Sequence, residues 1–395
     1  MEISVEKKNL FVLLSRIPYP LEKGDKLRAY HQLKILSKTY NLFIFALYKG
    51  EYTAESEAKV SELCVDYKFF KLTLWNRFWG MLYAIFSGLP FQTAYFFSFK
   101  AKKMILQSIQ KFKPDVAYVQ LIRVANYLED IQMPKILDFQ DALSTNMFRR
   151  SKREKFFLRA FFKFESKLIK KYELRLLSKF NHCTIISELD RITIEESGNQ
   201  QISIVPNGVD TQFFSPQNLD KKYDISFVGN MGYAPNVDAS IFLVKEIMPL
   251  VWKILPKTKV VLAGANPTPE VLHLQSSQVE VTGWVDDIRN YYAESHVFVA
   301  PLRMGTGMQN KILEAMAMGL PCVSTSLAAN PIGANEKEEI MVENSAADIA
   351  NQIVFLLNNP DKCSVIAQNA RRFVEKQYSW ESQTETLLNL IEKNI

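Results

Sequence analysis

Glycine is scarce in this chain, 14 of 395 residues, and cysteine and histidine number only four each. Cys64, Cys183, Cys322 and Cys363 lie far apart, with no C-x-x-C and no Cys/His spacing. That argues against a zinc site and for reduced thiols in a cytosolic protein. No G-x-G-x-x-G follows the first apolar run, where a proline-containing loop stands instead, so a nicotinamide-dependent oxidoreductase is poorly supported. There is no short-period repeat and no low-complexity tract. No signal peptide is expected: Glu2 and Glu6 come at once, and the run Leu10–Leu14 is too short for a signal core. The longest uncharged stretch, 78–99, holds 22 residues, enough to span a bilayer. Gly80, Gly88, Pro90 and Gln92 interrupt it, and Gly-Leu-Pro at 88–90 would end a helix mid-bilayer. It reads as an amphipathic or buried helix over 76–87, then a loop.

What is present is an ordinary globular composition, 48% apolar and 23% charged, in a chain long enough for two domains. The net charge of +6 hides an asymmetry. Residues 1–200 carry 33 Lys and Arg against 21 Asp and Glu, whereas 201–395 carry 15 against 21. Only the basic half suits a negatively charged surface.

The apolar run over 9–14 is fit for a buried parallel strand. A loop over 15–25, a helix over 26–38 and a second strand over 41–47 complete a βαβ unit. Further strands are expected at 116–120, 135–138, 183–186 and 203–205, with one long helix over 148–179. After the turn Pro206-Asn207-Gly208 a second series begins. Its strands fall at 224–228, 259–263, 279–281, 296–300 and 321–324. Its helices fall at 236–253, 286–294, 309–318, 346–358 and 361–376. The expectation is an α/β chain of two doubly wound domains, 1–203 and 204–377. The tail 378–395 could close the second domain or pack back on the first.

The segment from Ala300 to Val323 reads strand end, glycine loop, helix, glycine stop, strand. Gly305-Thr306-Gly307 lets backbone approach a ligand closely. The helix beginning near Met308 and Gln309 aims its free N–H groups and positive dipole end at that loop, a diphosphate site. Asn310 and Glu314 share a helix face. Glu314 can accept two ribose hydroxyls, and Lys311 or Arg303 can neutralise phosphate. The plainer possibility is a glycine turn leading into an amphipathic helix with a solvated Glu314.

This segment resembles the donor-binding signature of the family-four retaining glycosyltransferases. Other stretches match in order: Val205-Pro206-Asn207-Gly208-Val209-Asp210, Phe227-Val228-Gly229-Asn230, Val281-Thr282-Gly283-Trp284-Val285 and Tyr378-Ser379-Trp380. Pro18-x-Pro20-x-x-x-Gly24-Asp25-Lys26-x-Arg28 and Gly229-Asn230-Met231-Gly232-Tyr233-x-Pro235-Asn236 are similar to the sugar transferases of exopolysaccharide and PEP-CTERM export systems. The resemblance implies a GT-B fold of two Rossmann-like domains facing a cleft. It implies retaining transfer from a nucleotide-diphospho sugar, UDP- or GDP-linked, with no cofactor and no obligatory metal. By it Glu314 would bind donor ribose, Gly307 and Met308 would offer backbone N–H to the diphosphate, and Trp284 and Val285 would flank the base. Gly229, Asn230, Gln309 and Asn310 complete the donor set. Two departures stand out. Thr306 occupies the position of the first Glu in the family's E-x7-E motif. The stretch 230–236 also lacks the usual cations, which assigns phosphate neutralisation to Arg303 and Lys311.

In the first domain, Asp138-Phe139-Gln140-Asp141 ends a strand. Asp138 or Asp141 could accept the acceptor hydroxyl's proton or position the sugar, and Asp141 could equally cap the following helix. Gly24, Asp25 and Arg28 are candidates for the diphosphate from that side. Residues 149–179 hold 12 Lys or Arg interleaved with aromatics. That suits an anionic membrane surface better than nucleic acid, for which no binding motif is present. The expectation is a cytoplasmic, peripheral glycosyltransferase acting on a glycan or lipid-linked acceptor in cell-surface polysaccharide synthesis. The alternative is a non-catalytic GT-B scaffold that binds a glycan or partner.

Overall fold

The computed structural model describes residues 7–153, 155–195, 202–304 and 308–395. The chain forms two compact units, one of Met1–Asn207 with Gln383–Ile395, the other of Gly208–Ser382.

The first unit is a seven-stranded sheet of β1 (Asn9–Leu14), β2 (Asn41–Tyr48), β3 (Asp66–Lys71), β4 (Val116–Gln120), β5 (Lys135–Gln140), β6 (His182–Ile185) and β7 (Ile202–Ile204). Its order is β3-β2-β1-β4-β5-β6-β7 and every pairing is parallel. Leu10 to Leu14 are completely buried, as a central strand covered on both faces requires. The edge strand β3 went unread in the sequence. Its adjacent Phe69 and Phe70 pack on opposite faces, and the exposed Lys68 and Lys71 discourage pairing with another chain. The tail belongs to this unit: Leu387 and Ile391 are buried in one cluster with Leu10 and Val12.

The long helix expected over 148–179 is two helices, Leu143–Arg153 and Phe156–Leu177. They pack on each other through a buried polar link. Ser144 donates its N–H (3.0 Å) and its hydroxyl (2.6 Å) to the Glu173 carboxylate.

The second unit is a six-stranded parallel sheet of β8 (Tyr223–Val228), β9 (Val260–Ala263), β10 (Val279–Gly283), β11 (Ser295–Ala300), β12 (Cys322–Ser324) and β13 (Met341–Val342). Its order is β10-β9-β8-β11-β12-β13. The helix expected over 236–253 is interrupted: Ala234–Phe242 passes into a π-turn, Leu243–Ile247, and resumes at Met248–Ile254. Pro249 removes a helical N–H there, which a wider turn accommodates. Both units are doubly wound α/β, the class expected.

Candidate active site

All parallel strands of a sheet end on one edge, and open α/β sheets bind ligands there, where the strand order reverses. In the second unit that reversal lies between β8 and β11. Gly229 follows β8, Trp284 follows β10 and Arg303 follows β11. The helix Asn310–Ala317 starts on the same edge, with Gln309 as its N-terminal flanking residue. Met308, Gln309 and Asn310 are half-buried. Thr306 and Gly307 lie outside the described residues.

Lys311, in the first turn of that helix, brings a cation to this edge. Its ammonium donates to Asn236 Oδ1 and sits 4.9 Å from the Phe227 ring centroid. Asn236 is held in turn, its amide donating to Asn230 O at 2.9 Å. A Cβ on Gly229 would come within 2.7 Å of Asn236 Nδ2 and 3.2 Å of Lys311 Nζ, so only glycine lets backbone pass beneath this pair. Burial lowers the Lys311 pKa to about 8, partly opposed by Glu314. Glu314, partly exposed, accepts from the Tyr292 hydroxyl at 3.0 Å. Burial raises its pKa, with Tyr292 and Lys311 acting against the rise. Trp284 leaves 77% of its surface in solvent, and Val285 beside it is half-buried.

Arg303 is placed differently from the expectation. Its guanidinium pairs with Asp238 (2.9 Å) and Glu246 (3.2 Å) and stacks 4.1 Å from the Phe242 ring centroid. Two carboxylates already exceed its charge, which leaves Lys311 as the phosphate cation the geometry favours. A roomy cavity of about 870 Å³ lies at the opposite edge of the same sheet, by the amino ends of strands at Asp224 and His296. It is on the far side of the sheet from Gly229 and from the start of the Asn310–Ala317 helix, and is a poor candidate for the chemistry.

In the first unit Asp138 is sealed. Arg28 donates Nε (2.7 Å) and Nη2 (3.2 Å) to it, Tyr118 donates its hydroxyl (3.1 Å) and Thr184 its hydroxyl (2.9 Å). Arg28 and Asp138 are both completely buried. Burial alone would lower the Arg28 pKa, but Asp138 and Tyr118 outweigh it and hold it above the ordinary value. Arg28 also donates to Pro206 O (3.0 Å) and Asn207 Oδ1 (3.1 Å). The expectation of substrate contact for Asp138 and Arg28 is therefore corrected: they form an internal ion pair that anchors the end of the first unit.

Asp141 follows β5 on the same edge. It accepts from Asn146 Nδ2 at 2.8 Å. Burial and then Asp190 push its pKa up to about 6, against Arg123 and Asn146. The backbone is strained here, with φ of 72° at Leu121 and 63° at Gln140, both at strand ends. Asp25 pairs with Arg16, and Gly24 is exposed at the start of the helix Gly24–Thr39. Sequence reasoning missed three participants. Asn236 carried a signal, since it closes the quoted Gly229-to-Asn236 stretch. Tyr292 and Arg123 carried none, because their roles depend on partners distant in the chain. Among the described residues no group of three or more His, Cys, Asp or Glu is placed to hold a metal ion.

Residues 222–359 match the family model described as Glycosyl transferases group 1. That match supports a glycosyltransferase. A Klebsiella pneumoniae protein described as "Uncharacterized 44.6 kDa protein in cps region" is 25% identical, covering 93% of this chain and 96% of that protein. An Escherichia coli protein described as UDP-Gal:alpha-D-GlcNAc-diphosphoundecaprenol alpha-1,3-galactosyltransferase is 22% identical over 48% of this chain and 54% of its own length. Among solved structures, Anabaena Alr3699/HepE in complex with UDP superposes with a TM-score of 0.69 at 13% identity, covering 98% of this chain and all (100%) of that one. The fold is that of the GT-B glycosyltransferases, two Rossmann-like domains.

Proposed function

We propose that this glycosyltransferase is retaining and moves a sugar from a UDP- or GDP-sugar to a glycan or lipid-linked acceptor in cell-surface polysaccharide synthesis, without needing a metal. The observation that carries the reading is the Lys311–Asn236–Gly229 arrangement, with Glu314 on the same helix, at the switch point of a group 1 glycosyltransferase domain.

As the glycosidic bond breaks, negative charge grows on the leaving diphosphate. Lys311 and the amino end of the Asn310–Ala317 helix stabilise that charge. Glu314 has one oxygen held by Tyr292, which orients the carboxylate to take donor ribose hydroxyls. Trp284 and Val285 flank the base. Asp141, its pKa pushed up to about 6, takes the acceptor hydroxyl's proton. The E. coli relative's name includes a diphosphoundecaprenol-linked sugar, which supports a lipid-linked acceptor. No helix among the described residues is long and apolar enough to cross a membrane.

The test is a donor panel of UDP- and GDP-sugars with membrane extract as acceptor, read as released nucleotide and repeated in EDTA. Release with one donor, undiminished by EDTA, is expected. No release, and no nucleotide binding by calorimetry, would favour the scaffold instead.

A further inference from the structure

The helix Leu74–Ser87 in the first unit turns its large side chains outward. A Thr73–Asn76 capping box starts it and Gly88, in the left-handed region, ends it. Its buried positions are the small ones, Gly80 and Ala84. A Cβ on Gly80 would lie 2.2 Å from Ala94 O, so the helix backbone sits directly on the segment beneath. The bulky residues point away: Trp75 is 72% exposed, Trp79 57%, Ile85 66% and Phe86 83%. With Phe78 and Leu82 they form one continuous helix face. Phe99, exposed and in edge contact with Tyr83 at 5.3 Å, widens the patch. A soluble surface rarely leaves so much contiguous apolar area uncovered.

Its own stretch of chain carries charge of one sign. Residues 67–114 contain eight Lys or Arg and no Asp or Glu. A tryptophan-rich face bordered by cations matches the interfacial layer of an anionic bilayer. At the root of the helix, Met81 lines a cavity of about 290 Å³ that also holds Arg16, Lys49 and Arg123. These three follow β1, β2 and β4, so the cavity opens on the carboxyl edge of the sheet. Lys49 Nζ lies 3.8 Å from the Tyr95 ring centroid, and Arg77 donates to the Tyr95 hydroxyl at 2.7 Å. Asp25 offsets Arg16, and Glu165 in the wall accepts the N–H groups of Phe91 and Gln92. Cations this close repel one another, and an anion among them removes the repulsion.

We propose that the Leu74–Ser87 helix lies in the interfacial layer of an anionic membrane, with a lipid phosphate seated in the Arg16–Lys49–Arg123 cavity. The proposal rests on the membrane reading above and moves the contact from the 149–179 segment to this helix. The shared ligand chemistry is a lipid phosphate, from a bulk phospholipid or from a lipid diphosphate acceptor.

Flotation of the full chain on vesicles tests it. The vesicles are phosphatidylcholine alone, with phosphatidylglycerol, or with a few mole percent of a polyisoprenyl diphosphate. The wild type is expected to bind one or both anionic mixtures at least about tenfold more tightly than the exposed-face variant Trp75→Ser/Trp79→Ser/Phe86→Ser. Lys49→Gln/Arg123→Gln should lose the preference for whichever phosphate lipid recruits the wild type. The lipid that recruits identifies the source. Thermal melts check that each variant folds. Calorimetry with UDP should be unchanged in the face variant; a wild type that fails to bind UDP counts against the proposed function and not against this surface. The proposal is overturned if the wild type ignores all vesicles, or if the face variant binds as the wild type does. It is overturned equally if Lys163→Gln/Lys167→Gln/Lys171→Gln alone abolishes binding, or if the face instead mediates self-association in sedimentation. Vesicle binding unaffected by Lys49→Gln/Arg123→Gln would overturn the phosphate seat.

Discussion

Replacing Lys311 by methionine keeps an unbranched side chain one atom shorter and removes its charge. With a pKa of about 8, the free ammonium is mostly protonated at neutral pH and mostly neutral by pH 9. A diphosphate charge about 4 Å away, at an effective dielectric of about 20, attracts it by about 4 kcal/mol at most. Bound nucleotide therefore raises the lysine's pKa, and by linkage binding must take up a proton above pH 8. UDP affinity measured by calorimetry from pH 6.5 to 9.5 should be level up to about pH 7.5. It should then weaken towards tenfold per pH unit. Lys311→Met should bind at least roughly tenfold more weakly at pH 7, with the alkaline limb flattened, and turnover should fall by a similar or larger factor. A variant that keeps wild-type affinity, or keeps the alkaline limb, refutes the assignment of Lys311 to the diphosphate.

Four further outcomes are expected. Glu314→Gln should weaken nucleotide binding by roughly 1–2 kcal/mol through the lost charged acceptor for ribose hydroxyls, checked by comparing UDP with 2′,3′-dideoxy-UDP; equal discrimination in wild type and variant would refute the contact. Arg28→Met leaves a buried carboxylate without its partner and should cost about 3–5 kcal/mol of stability, read as a lowered urea midpoint for the first unit. Asp141→Asn should lower turnover with little change in donor affinity and remove a rate dependence near pH 6. Glu173 is completely buried with its pKa pushed up to about 7, chiefly by burial and against its Ser144 hydrogen bonds. Its folded pKa exceeds its unfolded one, so the protonated form favours the native state and stability should fall as pH rises from about 4.5 to 7. Glu173→Gln should flatten that slope in urea titrations at pH 5, 6, 7 and 8.

The parts of this molecule legible in the sequence are those governed by local pattern. The runs Leu10–Leu14 in β1 and Val260–Ala263 in β9 are apolar throughout, and a run of that kind has few alternatives to a buried parallel strand. The strands and the helix of the 300–323 segment were legible because they follow one another in the chain, while its glycine loop lies outside the described residues. Long-range pairing was not. Asp138 at a strand end looks the same in sequence whether it faces a ligand or, as here, meets an arginine 110 positions away. Arg303 was read as free because Asp238 and Glu246 reach it only through the fold. The sequence allows either an amphipathic or a buried helix over 76–87 and does not show which face meets the core. The small residues Gly80 and Ala84 decided that, since they alone allow the close approach beneath the helix.

The most direct test of the central claim is a crystal structure of the chain soaked with UDP. The account expects the diphosphate within about 4 Å of Lys311 Nζ, a distance at which its charge matters, with the ribose hydroxyls on the Glu314 carboxylate. UDP ordered instead in the cavity of about 870 Å³ at the amino edge of the second sheet, or bound with Glu314 turned away from the ribose, would contradict it.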